Sequence, residues 1–327
     1  MSKYIFVIII FIAIAVAGRI LYLQLNSKLA PVVEIQALST VLTPLTIAQP
    51  NYAVNVKASD LPQTVALYEI SSTQSLAQVS SLTAPWFNFT SQPITREGAT
   101  GAFSVWNDAD RSLIIGRKPL QIAFKKTPLF VTLPRLTLAD ETFTASAQEF
   151  LQQTKAVKTP FTVSTPQLTY LEPRFTEPLV VDRAQATVIR LTYPLQLDGK
   201  PLIGEHFSNS QLVFEYTEDK TLISATLPFL PEVKKLNKTV DLITVNEAET
   251  LLKQGDGLVV SVRRRDQQTA LTEELTLGEA TVMSIDLGYV FSGKTTLLQP
   301  AYVFESTAVN NDNGKEYLIT TVVDALK

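Results

Sequence analysis

Hydrophobic positions in this chain follow two patterns: one nearly unbroken run at the N-terminus, then short runs that alternate with polar residues to the end. From Tyr4 to Gly18 every residue is Tyr, Ile, Phe, Val, Ala or Gly. At about 1.5 Å per helical residue that stretch reaches about 22 Å, short of a hydrocarbon core of about 30 Å. Arg19 interrupts it, apolar character resumes as far as Leu25, and the whole run reaches about 33 Å, with Arg19 near an interface where its stem snorkels. The pattern predicts a signal-anchor transmembrane helix over 1–25 that meets the membrane through residues 4–25. The N-terminus is then cytoplasmic, and residues 26–327 are extracytoplasmic. The alternative is a signal peptide cleaved near Ala17, which gives a secreted chain.

Residues 26–50 carry Pro31, Pro44 and Pro50 among Ser, Thr and β-branched residues and read as a stalk. After them, alternation with period two predicts hairpins. Phe103–Trp106 and Leu113–Ile115 flank a polar tip at 107–110. Leu191–Leu197 and Pro201–Ile203 flank Asp198-Gly199, and Leu212–Tyr216 and Leu222–Leu227 flank a tip around Asp219. Ala301–Glu305 and Tyr317–Val323 flank Asn313-Gly314, the strongest short hairpin signal in the chain. Helical spacing is confined to a weak segment at Ser72–Leu82, a better one at Ala145–Val157, and the clearest at Asn246–Gln254. There Asn246 is the expected cap and Gly255 the stop.

The two better helices each precede a similar strand, Ala186–Tyr193 in one case and Ala280–Tyr289 in the other. Aligning the tyrosines sets Ile189 on Ile285 and Leu191 on Leu287. The expected fold class is therefore α+β and predominantly β: an N-terminal transmembrane helix followed by tandem repeats of a helix packed on an antiparallel β-sheet. The expected segments are 1–25 (anchor), 26–50 (stalk), 51–139 (a mostly β domain that reads as a diverged repeat), 140–240 (repeat) and 241–327 (repeat).

Composition narrows the chemistry. The chain has 327 residues, a net charge of −3 and no cysteine. That excludes a disulfide framework, Cys-ligated metal and a Cys nucleophile, and leaves no basic footprint for nucleic acid. His206 is the only histidine, so a general base or pH switch has one candidate, set against an ordinary surface or packed His. Asn107, Asp108 and Asp110 crowd oxygens, but the loop lacks the glycine and distal glutamate of a calcium loop. Glu172, Glu177 and Asp182 are separated by Pro173 and Pro178 and read as an extended connector, not as a carboxylate pair for glycoside cleavage. Arg263-Arg264-Arg265 reads as a charged edge strand, because consecutive strand residues alternate faces. Gly255-Asp256-Gly257 follows a helix and so does not open a phosphate loop. The remaining cluster is Trp86, Phe87, Phe89 and Trp106, a candidate interaction surface whose bland reading is core packing. No cofactor or metal is called for.

The Asn246–Gly255 helix, the strand ending Leu287-Gly288-Tyr289 and the run Leu298-Gln299-Pro300-Ala301-Tyr302-Val303-Phe304 together resemble YycH/YycI-type extracytoplasmic regulatory proteins and PepSY-like domains. The resemblance implies a single anchor, no catalytic apparatus, and modulation of a sensor histidine kinase or another envelope complex at a bacterial surface. The leading expectation is a non-enzymatic interaction protein with an envelope protein as partner. The alternatives are a carbohydrate-binding module or enzyme using an aromatic groove near Trp86, and a structural subunit of a surface assembly.

Overall fold

Where β-branched and aromatic residues alternate with polar ones the backbone is extended, since such side chains fit a pleated surface with one buried face. In this computed structural model the described residues are 38, 42, 50–56 and 61–327, apart from 73, 99–100, 118–119, 127–132, 175–177, 205–209, 265–276 and 293–294. The first strands are β1 (Tyr52–Val54), β2 (Thr64–Ser72), β3 (Ile94–Gly98), β4 (Gly101–Asn107), β5 (Arg111–Arg117) and β6 (Leu120–Lys126). Next come β7 (Phe161–Val163), β8 (Gln167–Glu172), β9 (Leu179–Val180), β10 (Val188–Leu197), β11 (Lys200–Gly204), β12 (Gln211–Thr217) and β13 (Leu222–Pro228). The last are β14 (Glu232–Asp241), β15 (Leu258–Arg264), β16 (Leu277–Phe291), β17 (Leu297–Asn310) and β18 (Glu316–Asp324). Helices α1 (Leu76–Thr83), α2 (Asp140–Thr154) and α3 (Val245–Gln254) interrupt them.

The first sheet is antiparallel throughout, in the order β9–β8–β10–β12–β13–β6–β5–β4–β3. Its register places Leu191, Phe214, Ala225, Phe124, Leu113 and Trp106 in one row across six strands. All six are buried. Helix α2 covers this row with Phe143, Ala147 and Phe150, spaced to lie on one face. The Phe150 ring lies 5.5 Å from both Phe214 and Phe87.

The second sheet runs β15–β18–β17–β16. Along the far edge of β16, two short strands pair in parallel: β1 opposite Ala280–Val282 and β11 opposite Tyr289–Phe291. Helix α3 packs on β18 and β1 with Ala248 and Leu252 fully buried. The other face of this sheet carries Val290, Val303 and Val322, covered in part by Leu38 and Leu42.

Strand β10 belongs to both systems. Its first half lies between β8 and β12; its last residues lie between β7 and β11. The turn into β11 is Asp198 (φ 55°) and Gly199 (φ 73°), the left-handed pair that a two-residue hairpin needs. A second tie is β2, which pairs with β14 and with the first residues of β17. Tyr68 of β2 donates to Asp198 (2.8 Å), as does Lys235 of β14 (2.9 Å), and Tyr68 meets the Tyr289 ring edge-on at 5.4 Å.

Four expected hairpins are present as β4–β5, β10–β11, β12–β13 and β17–β18. The expected fold class needs correction on two points. Among the described residues no helix is long and apolar enough to cross a membrane. That overturns the expected single-pass placement; the run on which it rests, residues 4–25, lies outside the described residues, as does nearly all of the 26–50 stalk. Nor do the helix-and-sheet segments form separate repeats. Strands from the 51–139 region enter both sheets, β6 beside β13 and β2 beside β14 and β17, so all strands share one hydrogen-bonded system. The physical reason is edge satisfaction: β13 without β6 would present a row of unpaired backbone groups.

The helix limits also shift. Thr244, not Asn246, caps α3, through a reciprocal box with Glu247. Helix α2 begins at Asp140 behind Ala139, which has no capping side chain. Its start is pinned instead by Asp140, which accepts from Tyr170 (2.6 Å) and Arg183 (3.0 Å).

The approach of β11 to β16 is tight enough to test. A Cβ on Gly288 would lie 2.8 Å from the Pro201 carbonyl oxygen and 2.9 Å from Val303 Cγ2. Gly288→Ala is expected to lower stability by about 1–3 kcal/mol in urea unfolding. A loss below about 0.5 kcal/mol, the ordinary surface range, would show that β11 does not press on β16.

Candidate functional site

The aromatic cluster does come together, but chiefly as core. Phe87 closes a 3-10 turn (Ala84–Phe87) after α1 and stacks on Phe124 at 4.6 Å. Trp86 is half-buried against the same core. Phe89 and Trp106 lie 6.4 Å apart, each 3% exposed. Turning the chain from Phe87 to Phe89 requires Asn88 at φ 58°, a conformation that Asn tolerates better than most residues.

Arg111 of β5 holds that turn. It donates to the carbonyls of Phe87 and Asn88 (3.2 Å each), pairs with Asp108 (2.9 Å), and lies 4.8 Å over the Phe89 ring. Trp106 fastens the following loop by donating its indole N–H to the Ser91 carbonyl (3.0 Å).

Between α1 and the β3–β4 hairpin these contacts leave a cleft of about 670 Å³. Phe89 and Trp106 form its apolar floor, with Ser80 and Ser104 beside them. Ser81 and Pro85 line it from the helix side, and Gln92, Pro93 and Thr95 from the other. No ionisable side chain is among the described lining residues. Ser80 is 4% exposed and its Oγ has no hydrogen-bond partner among the described residues. The other hydroxyls of α1 behave differently: Ser81 donates to the Gln78 carbonyl and Thr83 to the Val79 carbonyl. A buried hydroxyl left without a partner costs about 1–3 kcal/mol, so Ser80 is held in place at a cost that a ligand could offset.

The remaining sequence candidates scatter. Asp108 pairs with Arg111 and Asp110 lies 3.9 Å from Lys126, at the β4–β5 tip beside Asn107. Glu172 pairs with Arg174 at 3.4 Å, Asp182 precedes a short 3-10 turn, and Glu177 lies outside the described residues. Arg263 and Arg264 end β15, paired with β18 at the edge of the second sheet; Arg265 and His206 lie outside the described residues. Gly255 caps α3 at φ 87°, the role expected of it. Burial pushes the Glu305 carboxyl above its usual range, partly offset by a bond from Thr320. The lysine bond from Lys235, and then the Tyr68 bond, hold Asp198 below that range. Sequence reasoning missed Ser80, Arg111 and the Tyr68–Asp198–Lys235 group. Arg111 and the Tyr68 group depend on partners distant in the chain, and Ser80 on the burial of its helix face.

No protein-family model and no curated protein matches the chain. Among solved structures it is similar to the Bacillus megaterium YpeB C-terminal domain, with 12% identity and a TM-score of 0.30, over 77% of this chain and 99% of that one. The expected YycH/YycI kinship is not shown. At this TM-score nothing about fold, family or activity follows.

Two predictions follow from the pinned groups. Arg111→Ala is expected to cost about 1–2 kcal/mol, and Arg111→Lys to restore less than half of it, because a point charge cannot serve two carbonyls and a ring at once. Trp86 and Trp106 are the chain's two tryptophans, so intrinsic fluorescence during urea unfolding reads this loop directly. Full rescue by lysine would remove the guanidinium's special role. For Asp198, a depressed carboxyl contributes stability above its unfolded value of about 3.9 and loses it as pH falls through the lower folded value. The wild-type chain should therefore lose more stability between pH 5 and pH 3 (roughly the window set by these values) than Asp198→Asn. Parallel pH profiles for the two would contradict it.

Proposed function

We propose that this chain is a non-enzymatic interaction protein whose recognition site is the cleft between α1 and the β3–β4 hairpin. The lining of the cleft carries the reading: hydroxyl and amide groups over an apolar floor, with no ionisable side chain among them. Acid–base and nucleophilic mechanisms require a positioned proton acceptor within hydrogen-bond reach. Ser80 and Ser104 have none in the cleft wall, whereas a few polar groups over an apolar floor suit binding.

A carbohydrate-binding role has weaker support. Sugar recognition favours a flat, accessible aromatic face, and here Phe89 and Trp106 are 3% exposed, with the indole N–H already engaged.

A photo-cross-linking residue at Ser81, on the exposed lip of the cleft, is expected to trap a discrete adduct in the cell that makes the protein. The same residue at Lys238, exposed on β14, is expected to trap none. Recovery of unmodified chain alone from both positions would defeat the reading.

A further inference from the structure

Strand β3 is the terminal strand of the first sheet. It pairs only with β4 among the described strands, and every one of its residues is exposed. Its outward edge therefore presents backbone N–H and C=O groups that no other described strand pairs, and its Thr95 lines the cleft.

We infer that cleft and edge form one docking site for an extended peptide segment of a partner protein. The segment pairs with β3 as an added strand and sends one uncharged side chain into the cleft, where it hydrogen-bonds Ser80 Oγ. This rests on the reading of the cleft as the recognition site, and it names the occupant.

Three observations select a peptide. Thr95 is opposite Ser104 in the β3–β4 ladder, and both line the cleft. A residue added across from Thr95 shares that face and reaches the cleft mouth, since side chains directly opposite in a ladder lie on one side of the sheet. The buried, unpartnered Ser80 hydroxyl then offers a specific contact to an uncharged polar side chain. Finally, Arg96 and Glu97 sit on opposite faces of β3 and make no ion pair among the described residues. They set the charge of the neighbours: an acidic residue across from Arg96 and a basic one across from Glu97. Main-chain pairing supplies attachment, and alternate side chains supply selection.

The test uses the full chain and peptides selected against it from a displayed random library. Selected peptides are expected to slow amide hydrogen exchange over Ile94–Gly98. Ser80→Ala should weaken their binding about tenfold without loss of stability, because its Oγ has no partner among the described residues to lose. Thr95→Arg, at an exposed position, should abolish binding by blocking the mouth. Peptides that protect another region, or that bind both variants as tightly as wild type, would overturn the peptide–edge site while leaving the Ser81 adduct and the interaction reading intact. Binding of a soluble N-acetylglucosamine oligomer with the same Ser80 dependence, and of no peptide, would make the occupant a glycan and overturn it too. A concentration-dependent dimer broken by Thr95→Arg would assign the edge to a second copy of the chain, with the same consequence. Loss of the Ser81 adduct as well would remove the cleft reading itself.

Discussion

Strand β10 is hydrogen-bonded on both edges, but to different partners in its two halves, and the architecture depends on that division. Over Val188–Thr192 its neighbours are β8 and β12; over its last residues they are β7 and β11. A strand cannot change neighbours unless something displaces the old ones. Here Pro194, opposite Gln211 at the end of the β12 ladder, lacks the N–H that would continue it. Beyond that point the Asp198-Gly199 turn sends β11 back along β10 and on to β16, so the first sheet hands its hydrogen bonding to the second. The Tyr68–Asp198–Lys235 group fastens the same turn to β2 and β14.

The cleft follows from where the first sheet ends. Its core row is covered by α2 over the central strands, but α1 is only a short helix over β4 and β5. Toward β3 the inner face runs out of cover. The loop after Phe87 partly closes the gap because Arg111 and the Trp106 indole hold it in place. What remains open is bounded by α1 on one side and by the fastened Phe89–Pro93 loop and β3 on the other, and a loop held in this way suits a preformed site better than a free one would.

Much of this was legible in the sequence wherever the cause was local. The Asp198-Gly199 and Asn313-Gly314 turns declare themselves because few residues tolerate left-handed backbone, and the strands on either side alternate cleanly. The Gly255 stop was readable for the same reason. The N-terminal boundary of α2 was not, because Ala139 cannot cap and the work passes to Tyr170 and Arg183, more than two dozen residues away. The repeat expectation failed through the same blindness to distance. The likeness of Ala186–Tyr193 to Ala280–Tyr289 is real as a pattern of buried faces, yet the first is flanked by β8 and β12 and the second by β17 and β1, and no periodicity specifies those neighbours. The aromatic cluster was found by composition, while its function as floor and not as platform depended on burial. Ser80 had no signal at all: a serine on a helix face looks the same whether or not its hydroxyl finds a partner.

An open edge beside a cleft raises the question of why β3 does not simply aggregate. Its residues are Ile-Thr-Arg-Glu-Gly: short, with charge on both faces and a glycine at the end, which are the features that discourage indiscriminate pairing. The same features limit what pairing can provide. An added strand this short gains only a few backbone hydrogen bonds at about 0.5–1.5 kcal/mol each, against an association cost of about 4–15 kcal/mol. Edge pairing alone therefore cannot hold a partner. The balance is reached only if a side chain also enters the cleft, where apolar burial and the Ser80 hydroxyl add to the ladder. Selectivity then falls to the one side chain that the cleft accepts, and the edge stays unoccupied by strands that lack it.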